Sequence, residues 1–285
     1  MIKNGRSILL LTIFFALTGC YTQQAYYVSP FNGDSPGYHS IPLKADSLKS
    51  AFYINGAYFG GLANEGGRDA VRTFHTEIAG AHNIGSFQGW YGLGLSLGNY
   101  SVTRWDSSFY NYLGHSPSSS ARTATPFDAK IIDQNAGNKF FGGTGFSGGI
   151  NGVLPTNRSE WRFLGIETSL EREFGDYLQF RKQLPDSAAT LIERSNFFGT
   201  LGFYTELLGK TRQGNFGFRF ATGIILGRSY NNLNIYDNQS KHNLRYSYTN
   251  FTFHYTLLRY TGYWQLDFAT KASGSHFGLN YRIGK

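Results

Sequence analysis

Strict alternation is the dominant signal in the chain. In WYGLGLSLGNY (residues 90–100), Tyr91, Leu93, Leu95 and Leu97 alternate with Gly92, Gly94, Ser96 and Gly98. A period of two places all the leucines on one face of a β-strand and the small residues on the other. FGFRFATGIILG repeats the arrangement, with Phe216, Phe218, Phe220 and Ile224 opposite Gly217, Arg219, Ala221 and Gly223. FLGIETSLERE sets Leu164, Ile166 and Leu170 against Gly165, Glu167, Ser169 and Glu171, and FFGTLGFYTEL sets Leu201, Phe203 and Leu207 against Gly202, Tyr204 and Glu206. A soluble sandwich turns its apolar face inward and a charged face to water. Here the face opposite the leucines is small, as required of a face that points into a narrow lumen while the leucines meet lipid.

Ten such runs are predicted, near 50–60, 70–82, 87–102, 139–154, 160–174, 196–208, 215–228, 245–258, 262–271 and 275–284. Reading 245–271 as one element shortens the count, with eight strands as the alternative. The connections alternate between short ones (HNIGS, PTNRS, GKTRQGN, RYTG) and longer ones near 61–69, 103–138, 175–195 and 229–244, with KASGS as a short exception. Short turns at one end and long loops at the other, joining an even number of strands, are the rule for transmembrane β-barrels. The expected fold is therefore all-β: an up-and-down antiparallel transmembrane barrel of about ten strands over residues 50–285.

Composition strengthens this reading. Only 15% of residues are charged while 17% are aromatic, and glycine supplies 36 of 285 positions. A soluble domain usually carries about 25% charged residues. The mean hydropathy of −0.31 fits strands in which every second residue is polar. No block of five or six like charges occurs, so nucleic-acid binding is not indicated.

The N-terminal stretch SILLLTIFFALTGCYTQQ differs in kind. Its apolar run, residues 8–17, is half the roughly 20 residues that a helix needs to cross a bilayer. Lys3 and Arg6 precede it, as in a secretory signal. Leu17, Thr18, Gly19 and Cys20 resemble a bacterial lipobox, which implies cleavage before Cys20 and an S-diacylglycerol and N-acyl (palmitate-type) modification on it. Residues 1–19 would be the cleaved leader. Its removal leaves 24 basic against 18 acidic groups, net +6, and Cys20 is the only cysteine, so no intrachain disulfide forms. Residues 20–49 are polar, Pro-containing and aperiodic, and read as a lipidated periplasmic tether, either packed on the barrel rim or disordered. Tyr21 follows the cysteine, where an inner-membrane retention aspartate is absent. By resemblance this implies an outer-membrane location with the lipid in the periplasmic leaflet.

In SHFGLNYRIGK, His276, Gly278, Tyr281 and Ile283 resemble the β-signal through which outer-membrane proteins engage the barrel-assembly machinery. The chain ends in Lys285 and so departs from that pattern, which has a terminal aromatic. Together with the lipobox and the glycine- and aromatic-rich strands, these positions make the chain resemble the lipidated outer-membrane β-barrels of Bacteroidota. That resemblance implies a Gram-negative outer membrane and lipid contact, but no particular activity.

Parity assigns a polar network to the lumen: His75, Glu77, Glu167, Glu171, Glu206, Arg219, His254, Asp267 and Arg282. An interior of about eight strands is just filled by side chains, so opposite charges there are expected to pair as a plug rather than to line a wide pore. A hydrolase set can be drawn from Ser169, Glu167 and His254, but parity turns these residues inward, away from membrane lipid. No metal site is expected, since no histidine or carboxylate pair combines with another at ligand spacing, and no cofactor beyond the lipid is implied. Loops 103–138, 175–195 and 229–244 carry Tyr, Phe, Asn and Arg, a mixture suited to protein partners. Interfacial girdle and solvated loop explain Tyr177, Phe180 and Tyr230 equally well. The leading expectation is a non-enzymatic binding or structural subunit of a larger outer-membrane assembly; a lipid-modifying hydrolase and a narrow channel are the alternatives.

Overall fold

A computed structural model describes residues 25–34, 37–44, 48–64, 68–104, 129–189, 191–226, 246–270 and 272–284. Twelve strands run in chain order: β1 (Tyr26–Tyr27), β2 (Ser50–Ala63), β3 (Asp69–Ile84), β4 (Phe87–Val102), β5 (Gly137–Pro155), β6 (Ser159–Phe174), β7 (Leu191–Ile192), β8 (Phe197–Lys210), β9 (Asn215–Leu226), β10 (Ser247–Leu257), β11 (Tyr260–Ala269) and β12 (Ala272–Ile283). Ten of them form a closed barrel in the order β2-β3-β4-β5-β6-β8-β9-β10-β11-β12. Every pairing is antiparallel, and closure is made by β12 against β2, from Ala272↔Ala63 to Ile283↔Phe52. The barrel is thus ten-stranded. The stretch 245–271 divides into β10 and β11 at a tight turn where Leu258 takes a positive φ of 57°.

The apolar rows face outward. Leu93, Leu201, Phe203, Leu207, Phe216, Leu279 and their neighbours around the barrel are exposed, Leu93 by 68%. A belt of this extent would be untenable in water and is matched by hydrocarbon. The barrel spans a membrane through its strands. Among the described residues, no helix is long and apolar enough to do so.

One end of the barrel carries tight connections: Gly85 and Ser86 between β3 and β4, with φ +54° at Gly85, then 156–158, 211–214, and Leu258 with Arg259. At the other end lie the long connections, including helix α1 (Ala129–Gln134) between β4 and β5 and helix α2 (Asp176–Gln183) between β6 and β8.

The segment read as a periplasmic tether lies somewhere else. Residues 25–34 and 37–44 run through the lumen and are almost entirely buried. Tyr26–Tyr27 pairs in parallel with Leu191–Ile192 of the long loop. From there the chain descends, and at the short-turn end Lys44 donates its backbone N–H to Glu160 Oε2 (2.6 Å) and its Nζ to the Phe87 carbonyl (3.3 Å). A polar, Pro-containing segment suits this path. Beyond the short β1–β7 pairing it enters no sheet, so the rest of its backbone and side chains can meet the inward-facing groups of the wall. Loop residues Tyr177 and Phe180 are buried as well. Tyr177 stacks on Tyr100 (3.9 Å) and donates to the Val28 carbonyl (3.1 Å), while Phe180 meets Tyr27 edge-on (5.3 Å). They are neither girdle nor partner contacts; they hold the luminal segment. Loop 229–244, with Tyr230, lies outside the described residues, as do 105–128 and the leader with Cys20.

A candidate site in the lumen

The luminal segment divides the interior into layers. At the long-loop end, Phe31 packs edge-on against Phe141 (5.6 Å) and lies 6.2 Å from Phe198, within an aromatic and aliphatic cluster that includes Tyr27, Phe59, Tyr100 and Ile132. This layer is dry. Just outside it, Arg181 of α2 donates to Glu173 Oε2 (2.6 Å) and to the Glu193 carbonyl (2.7 Å). Burial is the largest single influence and opposes the charge of Arg181, but Glu173, Tyr177 and Glu193 together outweigh it and hold the guanidinium pKa above its ordinary value.

Below the aromatic layer, the wall and the segment meet through charge. Both Asp34 oxygens face imidazole nitrogens: Oδ1 lies 2.6 Å from His276 Nε2 and Oδ2 lies 2.7 Å from His75 Nε2. The remaining nitrogens are held too, His276 Nδ1 by Asp267 Oδ2 (2.7 Å) and His75 Nδ1 by Ser96 Oγ (2.7 Å). His39 stacks on Trp90 (3.9 Å) and reaches Glu77 Oε2 (2.5 Å), whose other oxygen accepts from Ser147 Oγ (2.5 Å).

Closer to the short-turn end, Arg162 is fully buried and makes three contacts. It donates to Glu206 Oε2 (2.7 Å) and to the Ile41 carbonyl (2.9 Å), and its Nε lies 3.3 Å from Glu160. Tyr38 donates to Glu206 Oε1 (2.9 Å) and stacks on His254 (4.3 Å), whose Nε2 is 2.8 Å from the same carboxylate oxygen. Arg219 pairs with Glu167 and lies over the Tyr204 ring.

All nine residues assigned to the lumen by parity lie on the inner wall or its rim. Arg282 stands apart at the short-turn rim, half-buried, with its backbone N–H on the Arg259 carbonyl. Of the other eight, five are tied in by the luminal segment: His75, and Asp267 through His276, by Asp34, Glu77 by His39, and Glu206 with His254 by Tyr38, while Arg219 and Glu167 pair with each other and Glu171 borders the cavity. Parity reaches none of Asp34, Tyr38 and His39, because they are not in strands. His276, read as part of the β-signal, is also a central member of this network. Arg162 and Glu160 escape a parity argument because β6 carries a bulge between Arg162 and Gly165. Phe163 and Leu164 both point outward there, and the phase of the strand reverses.

Glycines opposite these groups make the room. A Cβ at Gly278 would overlap the Tyr263 ring, one at Gly217 would overlap the His254 imidazole, and one at Gly92 would overlap the Glu77 carboxylate. Gly278 thus has a packing role within the β-signal-like strand.

The hydrolase set is not assembled. Ser169 Oγ bonds Thr200 Oγ1 (2.7 Å), Glu167 is engaged by Arg219, and His254 lies against Glu206 and Tyr38. A cavity of about 70 Å³ remains in the middle of the lumen, bordered by Asp34, His75, Glu77, Ser147, Glu171 and His276. It has room for a few waters. Among the described residues, Asp34, His75 and His276 form a cluster able to offer one ligand atom each to a metal, with those atoms all within 4.8 Å of one another. Spacing along the sequence could not show this, because the three come from the luminal segment, β3 and β12.

No family model matches the chain, and no curated relative does. Solved structures with similar architecture include Neisserial surface protein A (11% identity, TM-score 0.32, 83% of this chain and 97% of that one). An outer membrane channel from Pseudomonas putida F1 (8%, 0.35, 86% and 100%) and LpxR from Salmonella typhimurium (8%, 0.34, 81% and 99%) are others. With identities this low and superpositions this loose, none of them speaks for an activity of this chain.

Proposed function

We propose that the protein is an outer-membrane β-barrel lipoprotein acting, without catalysis, as a binding or structural subunit of a larger outer-membrane assembly. The observation that carries this is the occupied lumen. The chain fills its own interior with residues 25–34 and 37–44, and luminal groups capable of chemistry are engaged with one another. An open channel is disfavoured by the same packing. What stays available to other molecules is the lipid-facing belt and the long-loop mouth, where α1 and α2 lie.

Lipidation at Cys20 remains part of the proposal, and the course of the luminal segment supports the outer leaflet rather than the periplasmic one for the lipid. Ala25 stands at the long-loop end, where its carbonyl accepts from the Leu191 N–H (3.2 Å). Five residues of extended chain reach about 17 Å. With short turns facing the periplasm, an acyl group on Cys20 enters the outer leaflet rather than the periplasmic one. Reaching the opposite leaflet would require taking peptide groups down the outside of the barrel through hydrocarbon, where each unsatisfied group costs several kcal/mol.

Two measurements test the reading. Mild-detergent purification after cross-linking in cells should yield a defined complex that is lost when loop 103–136 is replaced by a short turn; a clean monomer from the wild type would remove the subunit role. An epitope placed between Cys20 and Ala25 should react with antibody on intact cells. Reaction only after the outer membrane is permeabilised would return the lipid to the periplasmic side.

A further inference from the structure

We infer that Asp34, His75 and His276 form a binding site for a divalent transition-metal ion of the Zn²⁺ type, which ties the N-terminal luminal segment to opposite ends of the barrel sequence.

The case begins with the tautomers. Asp267 is a carboxylate and only accepts, so the short contact from its Oδ2 to His276 Nδ1 (2.7 Å) fixes the proton on Nδ1. His276 Nε2 then presents a lone pair toward Asp34 Oδ1, 2.6 Å away. Two lone pairs cannot face each other at that distance without a cation between them, whether a second proton or a metal. His75 is placed alike but less constrained: Ser96 Oγ at its Nδ1 can accept or donate, and when it accepts, Nε2 presents its lone pair toward Asp34 Oδ2 (2.7 Å). Two imidazole nitrogens thus converge on one carboxylate, and each ring is oriented from behind by a hydrogen-bonding partner. Backing partners of this kind, carboxylate on histidine above all, accompany metal-ligating imidazoles.

Charge agrees. With neutral imidazoles, Asp34 and Asp267 supply two negative charges, which a divalent ion cancels. Protons alone must place positive charge on both rings to do the same. Glu171 borders the same cavity, and its Oε2 is shielded from solvent with no hydrogen-bond partner among the described residues. Its carboxylate is not among the ligand atoms that converge within 4.8 Å, so a water in the cavity is the group suited to a fourth position. The geometry needs little adjustment. Tetrahedral Zn²⁺ at about 2.0–2.1 Å from its ligands separates them by about 3.4 Å; the three donors now lie within 4.8 Å of one another, so Asp34 and the two rings adjust around the ion. Two nitrogen donors with one carboxylate favour Zn²⁺ and its first-row neighbours over Ca²⁺ or Mg²⁺, which prefer all-oxygen sites.

The test uses tag-free full-length protein in detergent, stripped with a chelator and titrated with Zn²⁺ against a chromophoric competitor. Wild type should bind one ion per chain and unfold at a higher temperature when loaded. Asp267→Asn, which alters only the backing partner, should weaken binding about 10- to 100-fold, and His75→Ala should weaken it further. His82→Ala changes an exposed histidine bonded to Ser50 and should leave binding unchanged. Heat-modifiable gel migration reports whether each variant is folded. Should Asp267→Asn not fold, X-ray absorption of the Zn²⁺-loaded wild type decides: a shell with two imidazoles supports the site, and a shell without imidazole overturns it. Equal Zn²⁺ affinity in wild type and His75→Ala overturns it as well.

Discussion

The outer and inner faces of the barrel are built from alternate residues of the same strands, yet they obey different rules. Leu93, Leu95 and Leu97 on β4 are interchangeable in kind; each presents apolar surface to a fluid that moulds itself to any shape. Trp90 and Ser96 on the same strand face inward and are specified individually, one stacked on His39 and the other bonded to His75. Hydrocarbon tolerates changes of shape, whereas a close-packed interior with paired charges does not. Specificity in this fold therefore resides in the lumen, and hydrophobicity alone suffices outside.

Substitutions that probe this contrast should fall in a clear order when the folded barrel is unfolded by urea in vesicles. Arg162→Ala should cost the most, about 3–5 kcal/mol, because it strands the buried carboxylates of Glu206 and Glu160 without a counter-charge. Arg162→Met with Glu206→Gln and Glu160→Gln should recover much of that loss; no recovery would mean that shape rather than charge holds the layer. Tyr38→Phe removes one hydrogen bond to a carboxylate and should cost about 1.5–3 kcal/mol. Leu93→Ile, on the outer face, should change stability by less than about 0.5 kcal/mol. A cost at Leu93 comparable to that at Tyr38 would erase the distinction between the faces.

Much of the barrel is legible in the sequence because period-two alternation is a local signal. Tyr91 to Leu97 and Phe216 to Ile224 disclose both the strand and its lipid-facing side without knowledge of the rest. The luminal assignments of Glu167, Glu206, Arg219 and His254 follow from the same parity. It fails where a strand changes phase, as at Phe163 and Leu164, where the β6 bulge brings Arg162 inside. Parity is also silent on residues outside strands. Nothing local in FNGDSPGYHSIPLK distinguishes a free tether from one laid along a barrel's interior. Only the unpaired charges that parity leaves in the lumen hint that Asp34, Tyr38 and His39 complete them. Read with that in mind, an excess of inward-facing ionisable groups is itself a signal that some other stretch of chain must come and meet them.

The contact between Asp34 and His276 joins positions 242 residues apart. The strand that closes the wall, β12 against β2, is also the one whose histidine holds the inner segment. Sealing the cylinder and retaining its plug therefore depend on a single side chain.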